Sequence, residues 1–395
     1  MSMVTPKGFS FGTTSAGFKS EGRRDLAVLV SEVPAVSAGV FTTNLFKAAP
    51  VLVGQQRIGE KGTARVVLIN SGQANACTGP EGLDKCRETV ELLSSAMGVD
   101  AADVLPASTG VIGTQLKMDK WRSAVPALAA SVGEKSLEDF ASAIMTTDAF
   151  PKFASESVTL SGGDVALAGA AKGAGMICPN MATMLSTVIC DAAVAVEDWR
   201  AMFRRAVDRS FNRATVDGDT STNDTLYGLA NGASGVQAKN ADDLRLLEDA
   251  LTRILSRLAY MLVQDGEGAT KVIHIKVTGA ATEADAEKAA RTVGHSQLVK
   301  TAMYGKDANW GRIVAALGRS GADFAPADVR VSLCGVELFK NEQPSGLDFD
   351  ALLKEPLEQR DLYLDIVLGG GNGEYELLAS DLTHEYVTIN GDYRS

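Results

Sequence analysis

Lys172-Gly-Ala-Gly-Met-Ile-Cys-Pro-Asn-Met-Ala-Thr-Met-Leu185 is the stretch on which the reading of this 395-residue chain turns. Gly173, Gly175 and Pro179 lead into Ala182 and Thr183, and the partly β-branched run Ser186-Thr-Val-Ile-Cys190 follows. Glycine lets backbone approach backbone, and proline fixes φ. The Ala182-Thr183 peptide is therefore expected to be held under strain at the mouth of a strand. Strain there favours attack by the Thr183 hydroxyl on the Ala182 carbonyl. An N-to-O acyl shift and ester hydrolysis would leave Thr183 as a new N-terminus, whose α-amine has an ordinary pKa of about 7.7 to 8.0. That amine is the natural base for its own side chain.

The pattern on either side of this segment is that of a layered protein. Residues 26–30 and 64–69 are short β-branched apolar runs and read as buried strands. Helices are expected at about 80–97, 118–131 and 136–145, then strand, loop and strand up to Thr183. Residues 196–213 have helical periodicity with Trp199, Phe203, Ala206 and Val207 on one face. A longer helix is expected over 242–263, where Leu244, Leu247, Leu251, Ile254, Leu255, Leu258 and Leu262 form one stripe. That stripe reads as an internal core helix ahead of a partner-binding coiled coil. Residues 271–277 alternate as a strand with Val272, His274 and Lys276 on a mixed face. Beyond Thr282 come helix, loop, and strands at 329–338 and 361–368. The run Gly369-Gly-Gly-Asn-Gly373 carries an Asn-Gly step and reads as a hairpin joining two apolar strands. No helix and no Gly-Lys-Ser/Thr follows it, so it is not a phosphate cradle. Strands and helices in no strict βαβ rhythm indicate α/β or α+β layers.

Composition narrows the class. The length allows two or three domains. A formal charge of -11 argues against a nucleic-acid surface and for a soluble protein. The cysteines Cys77, Cys86, Cys178, Cys190 and Cys334 are odd in number, with no C-x-x-C pair, which fits a reduced, cytoplasmic setting. No run approaches the roughly 20 apolar residues of a membrane span, and residues 1–25 read as neither secretory signal nor anchor. His274, His295 and His384 stand in no recognisable Cys-His arrangement, so Cys178 reads as packing. No spacing suggests a metal site, and the sequon Asn223-Asp-Thr225 is not expected to be used.

The Lys172–Leu185 segment closely resembles the signature of the ornithine acetyltransferase family, glutamate N-acetyltransferases of arginine biosynthesis that process themselves before this threonine. Further matching motifs keep the family's order along nearly the whole chain. They are Phe41-Thr-Thr-Asn44, Asn70-Ser-Gly-Gln-Ala-Asn75, Ala107-Ser-Thr-Gly-Val-Ile-Gly113, Met145-Thr-Thr-Asp148, Asp217-Gly-Asp-Thr-Ser-Thr-Asn-Asp224, Asp265-Gly-Glu-Gly-Ala-Thr-Lys271, Asp307-Ala-Asn-Trp-Gly-Arg312, and Tyr386-Val-Thr-Ile-Asn390 running on to Ser395.

The resemblance implies an α/β (α+β layered) self-processing fold, with sheets sandwiched between helices and a smaller C-terminal α/β domain. It implies cleavage between Ala182 and Thr183 into fragments 1–182 and 183–395. Residues 183–280 would complete the main sandwich, and about 281–395 would form the smaller domain. Thr183 is then the nucleophile, and Thr109 and Gly110 are the oxyanion-hole pair. Thr146, Lys172, Thr183, Glu267, Asn390 and Ser395 are the substrate contacts. Thr147 rivals Thr146, and serine stands at position 395 where relatives often carry threonine. The implied reaction is a double displacement from N-acetylornithine to glutamate without a cofactor, with acetyl-CoA left open as a second donor. The implied assembly is an α2β2 heterotetramer of the cleaved fragments. Two other readings stay open: a self-processing amidohydrolase or aminopeptidase, and an uncleaved, non-catalytic scaffold.

Overall fold

The computed structural model describes residues 3–19, 22–178 and 184–392. The chain divides into two compact units, one of residues 1–212 and 219–262, the other of residues 213–218 and 263–394.

The first unit is built on one mixed sheet. Its strands are β1 (Phe9–Thr14), β2 (Leu26–Phe41), β3 (Thr63–Gln73), β4 (Val104–Val111), β5 (Lys152–Leu160), β6 (Gly163–Lys172), β7 (Leu185–Cys190) and β9 (Thr225–Ala230), in the order β4-β3-β2-β9-β7-β6-β5 with β1 also on β2. β3 runs parallel to β4 and β7 parallel to β9; the other pairs are antiparallel. Helices α1 (Ala49–Glu60), α2 (Gly79–Met97), α3 (Met118–Ala130), α4 (Leu137–Ile144), α5 (Val196–Asp208) and α6 (Ala241–Gln264) complete the layers. Alternation along β2 shows why both faces are covered. Leu26, Val28 and Val30 share a core with Val90 and Leu93 of α2 and Trp121, Val125 and Leu128 of α3. Ala27 and Leu29 share another with Leu137, Phe140 and Ile144 of α4. The sheet lies between helical layers, as the family resemblance implies.

One strand outruns its apolar run and one helix falls short of its expected end. β2 continues to Phe41 because the out-of-register step after Val30 absorbs Glu32, Val33 and Pro34, all exposed, before pairing resumes at Ala35. Proline is tolerated there because no ladder hydrogen bond is demanded of it. α5 stops at Asp208, short of the expected 213: the Ser210 hydroxyl bonds back to the Ala206 carbonyl at 2.6 Å and competes with helix continuation. The α6 stripe is core, with Leu247, Leu251, Ile254, Leu255, Leu258 and Leu262 fully buried.

The second unit has a sheet in the order β13-β12-β11-β14-β10-β15-β8, made of β8 (Ala214–Thr215), β10 (Val272–Ala280), β11 (Arg330–Leu333), β12 (Val336–Lys340), β13 (Gln343–Pro344), β14 (Asp361–Val367) and β15 (Gly373–Ser380). Ile273, Ile275 and Val277 of β10, Leu362, Leu364 and Ile366 of β14, and Tyr375, Leu377 and Ala379 of β15 pack against α7 (Glu283–Gly294), α8 (Gln297–Tyr304), α9 (Trp310–Gly318) and α10 (Phe349–Leu353). The opposite face of β10 carries His274 and Lys276, the first stacked on Tyr363 and 2.7 Å from Asp361. A last helix, α11 (His384–Asp392), closes the described chain.

Two expectations for this unit are corrected. The glycine run 369–373 is not a hairpin between paired strands, because β14 and β15 both pair with β10, which lies between them. The run steps over the end of β10: Gly371 N–H donates to the Gly279 carbonyl at 3.1 Å, and a Cβ on Gly371 would lie 2.0 Å from the Ala280 oxygen. Residues 329–338 are not one strand either. Cys334 (φ +47°) and Gly335 (φ +81°) form a two-residue turn between β11 and β12, the geometry that a tight hairpin requires.

Candidate active site

In the first unit the ends of β4 and β6 meet. β4 delivers Thr109 and Gly110, and β6 ends in Lys172, which is buried. Lys172 Nζ donates to Thr109 Oγ1 at 3.1 Å. Gly110 sits opposite Gly72 of β3 at φ +130°, and a Cβ there would lie 2.3 Å from the Gly72 carbonyl carbon. Glycine is required by that approach, not by turn propensity. Behind Thr109, Ser108 Oγ donates to Asn70 Oδ1 at 2.6 Å, and Asn70 Nδ2 donates to the Gln73 carbonyl at 2.8 Å. Asn223 Nδ2 donates to the carbonyls of Ala74 and Ser108 at 2.6 and 2.8 Å. Every member of this network is buried, so it holds the β4 end stiffly. Asn223 is also thereby unavailable as a glycosylation acceptor.

Asp148 organises the β6 end. Its carboxylate accepts from Lys152 Nζ at 2.6 Å, from Gly173 N–H at 2.6 Å and from Thr146 N–H at 2.8 Å. Burial would raise this carboxyl, but Lys172 and Lys152 outweigh it and hold the group low, at about 2. Thr146 is thus tied to the residue that follows Lys172, while its rival Thr147 is half-buried to the same degree. Lys19 also lies within electrostatic reach of Lys172 and Asp148; burial foremost, then Arg23, brings its ammonium down to about 8. Its Nζ donates to the Arg24 and Ala143 carbonyls at 3.1 and 3.0 Å. Lys19, Lys152 and Lys172 thus gather around Asp148, with the buried Asp25 carboxylate also acting on Lys19. Lys19, Lys152 and the positioning role of Asp148 were not singled out from the sequence. A lysine 20 residues before the cleavage segment announces nothing until β5 and β6 pair.

In the second unit Glu267 follows α6 and is buried, not the solvated turn that flanking glycines ordinarily mark. Asn390 Nδ2, from α11, donates to Glu267 Oε2 at 2.7 Å. Gly268 allows this: at φ +68°, a Cβ would lie 2.8 Å from the Tyr386 nitrogen and 2.7 Å from Glu385 Cβ. Thr383 Oγ1 fastens the approach by donating to the Gly268 carbonyl at 2.9 Å. Ala182, Thr183 and Ser395 lie outside the described residues.

Cys178, near the cleavage segment, is buried; Cys86 and Cys190 are buried thiols pushed up to about 12 by desolvation and are inert at neutral pH. Among the described residues no group of three His, Cys, Asp or Glu side chains is arranged to hold a metal ion, and no helix is long and apolar enough to cross a membrane.

A family model described as the ArgJ family matches residues 10–395. The arginine biosynthesis bifunctional protein ArgJ of Nitratidesulfovibrio vulgaris is 66% identical over 392 residues, covering 99% of this chain and 100% of that protein. The protein of the same name from Geobacter sulfurreducens is 46% identical over 391 residues, covering 98% and 99%. Among solved structures, the arginine biosynthesis bifunctional protein ArgJ of Bacillus halodurans is 33% identical over 52% of this chain and 97% of that one, with a TM-score of 0.48.

Proposed function

The chain belongs to the ArgJ family and is an acetyltransferase that activates itself by autocleavage, and from that premise we propose how its own residues divide the work. Thr183 Oγ attacks first the Ala182 carbonyl, splitting the chain, and then the acetyl carbonyl of N-acetylornithine. Ornithine leaves with the proton released from the hydroxyl, and an acetyl ester of Thr183 remains. The α-amine of glutamate attacks that ester and departs as N-acetylglutamate, and Thr183 recovers its hydroxyl. The freed α-amine of Thr183 moves the proton in both halves.

The observation that carries this assignment is the Lys172–Thr109 contact at 3.1 Å. It joins the start of the cleavage segment to the strand end that bears the oxyanion pair. Thr109 and Gly110 are assigned to the tetrahedral oxyanion, each donor of this kind contributing about 2.7 to 4 kcal/mol. Lys172 is assigned to a substrate carboxylate, with Thr146 beside it. Glu267 is assigned to the ornithine side-chain cation, with Asn390 holding its carboxylate in one rotamer; Ser395 is assigned to the same substrate. The cleaved fragments are proposed to assemble as α2β2 in the cytoplasm.

The test is intact mass of the purified protein before and after brief mixing with N-acetylornithine. Two fragments divided before Thr183, with an acetyl added to the C-terminal one, are expected. Cleavage without acetylation, together with release of acetate, would favour the amidohydrolase instead, and an unsplit, unmodified chain the scaffold. Repeating the mixing with acetyl-CoA decides whether that donor is also used.

A further inference from the structure

In the first unit β2 runs on past the end of β3. The β2–β3 ladder stops at Val36 opposite Thr63, while β2 stays paired with β9 as far as Phe41 opposite Thr225. Hydrogen-bond direction alternates along an antiparallel pair, so the contacts at either end show which way each residue points. Thr42 N–H donates to the Asp224 carbonyl at 3.0 Å, continuing the β9 ladder. Ser37 points the other way: its N–H donates to the Gly62 carbonyl at 3.0 Å and its carbonyl accepts Arg200 Nε at 3.1 Å. Gly39 and Phe41, two and four residues on, share the direction of Ser37. Among the described residues their N–H and C=O groups have no partner on that side.

This bare edge opens on a cavity of about 210 Å³ between β2, the second half of α1 and α5. Phe41, Ile58 and the fully buried Phe203 give the cavity an apolar floor. Arg200 and Arg204, one helical turn apart on α5, and Gln55 on α1 supply its polar side chains. Arg200 is held in place by the Ser37 and Ile58 carbonyls. The exposed Arg204 guanidinium and the half-buried Gln55 carboxamide make no hydrogen bond or ion pair among the described residues. No carboxylate lines the cavity among those residues, and neither do Lys172 and Thr109.

We propose that this cavity is a second ligand site, for an N-acylated amino acid with an apolar side chain. The ligand carboxylate meets the Arg204 guanidinium beside that of Arg200. Its amide pairs with the free edge of β2 as a strand would, accepting from an N–H and donating to a carbonyl of Gly39 or Phe41. Its side chain covers Phe203 and Ile58, and Gln55 adds a neutral donor and acceptor from the α1 wall. A long peptide does not fit the same features. The free edge amounts to two alternate residues, and the volume falls below the roughly 300 to 1,000 Å³ of sites for drug-sized ligands. Glycine at position 39 belongs to the design of the floor, because a Cβ there would lie 2.8 Å from the Phe41 ring and 3.1 Å from Ile58.

The probe is N-acetylleucine, titrated into the purified protein by calorimetry beside its neutral analogue, N-acetylleucinamide. Wild type should bind the acid saturably at about millimolar concentration. Arg204→Ala, a change at an exposed side chain, should melt as wild type does and weaken binding about 10-fold or more; the neutral analogue should bind wild type correspondingly poorly. Lys172→Ala should leave binding unchanged. Hydrogen exchange of the wild type should show the Gly39 and Phe41 amides protected by the acid. Equal binding of acid and amide, undiminished binding to Arg204→Ala, or no saturable binding at all would overturn the proposal. Binding lost in Lys172→Ala but kept in Arg204→Ala would overturn it too, by moving the ligand to the site assigned to acetyl transfer. If Arg204→Ala does not fold, the wild type decides: preference for the acid with protection at Gly39 supports the site, and the lack of either overturns it.

Discussion

At the scale of single residues, the assignments make sharp demands. Thr183→Ala should abolish both the split and acetyl transfer, while Thr183→Ser should keep part of each, as read by intact mass and exchange assay. An Ala variant that still split would remove the nucleophile assignment. Gly110→Ala forces a Cβ to 2.3 Å from the Gly72 carbonyl carbon at a φ that disfavours side chains. It should destabilise the fold by about 1 to 3 kcal/mol and lower kcat by roughly 10²–10³-fold, measured by denaturation and steady-state kinetics. The Asp148–Lys152 pair is fully buried on both sides. Lys152→Met should therefore destabilise by about 3 to 5 kcal/mol, because it removes the charged donor bonded to a buried carboxylate and leaves Lys172 as the remaining counter-charge. Adding Asp148→Asn should recover part of that loss in a double-mutant cycle, and additivity there would mean the pair is not coupled.

Elements explain how distant motifs become neighbours. β3 and β4 run parallel, so the motifs at 70–75 and 107–113 end at the same sheet edge. β6 and β7 are antiparallel neighbours, so Lys172 and Leu185 face each other across the cleavage segment. α11 reaches Glu267 because position 268 has no side chain. Gly268→Ala should push α11 away, loosen the Asn390–Glu267 contact and raise KM for N-acetylornithine more than it lowers kcat. Equal loss in both would argue that Glu267 does not meet the substrate. The sequence located the core helices from their apolar stripes, and α6 starts and ends within a residue of its expected bounds. The β11–β12 turn escaped because cysteine is not a usual turn residue. The step over β10 escaped because strand adjacency is a property of the whole sheet, and Asn-Gly marks a turn without saying what lies between its arms.

For the molecule as a whole, β7 hydrogen-bonds to β6 on one side and to β9 on the other. A cut before Thr183 would leave β6 and β7 in different fragments but in one sheet. The fragments should co-elute in native size-exclusion chromatography and separate only in denaturant; free fragments in native buffer would contradict the sheet order. Acid should weaken the fold in two windows. Burial, with Arg291, lowers His295 to about 4 from 6.5. The unfolded chain then binds more protons between those values, and stability falls as pH drops through them, at no more than ~1.4 kcal/mol per pH unit. Asp148, held at about 2 against 3.8, adds stability that is complete above the unfolded value and lost as pH falls through the folded one. His295→Gln should flatten the upper window in a pH series of melting curves and leave the lower one intact.

The sequence by itself determined the order of its parts: the motifs that carry the family resemblance, the glycine- and proline-flanked approach to Ala182-Thr183, the apolar strand runs and the apolar face of each long helix. These follow from residue type and local periodicity, which the chain carries in any conformation. Tertiary structure alone decided that Asp148 with Lys152 fixes the end of β6, that Glu267 is buried on Asn390, and that the Asp224 carboxyl accepts the Met184 amide. Each depends on strands or helices far apart in sequence closing to within a hydrogen bond. The burial that moves those carboxyl groups exists only once the layers have packed.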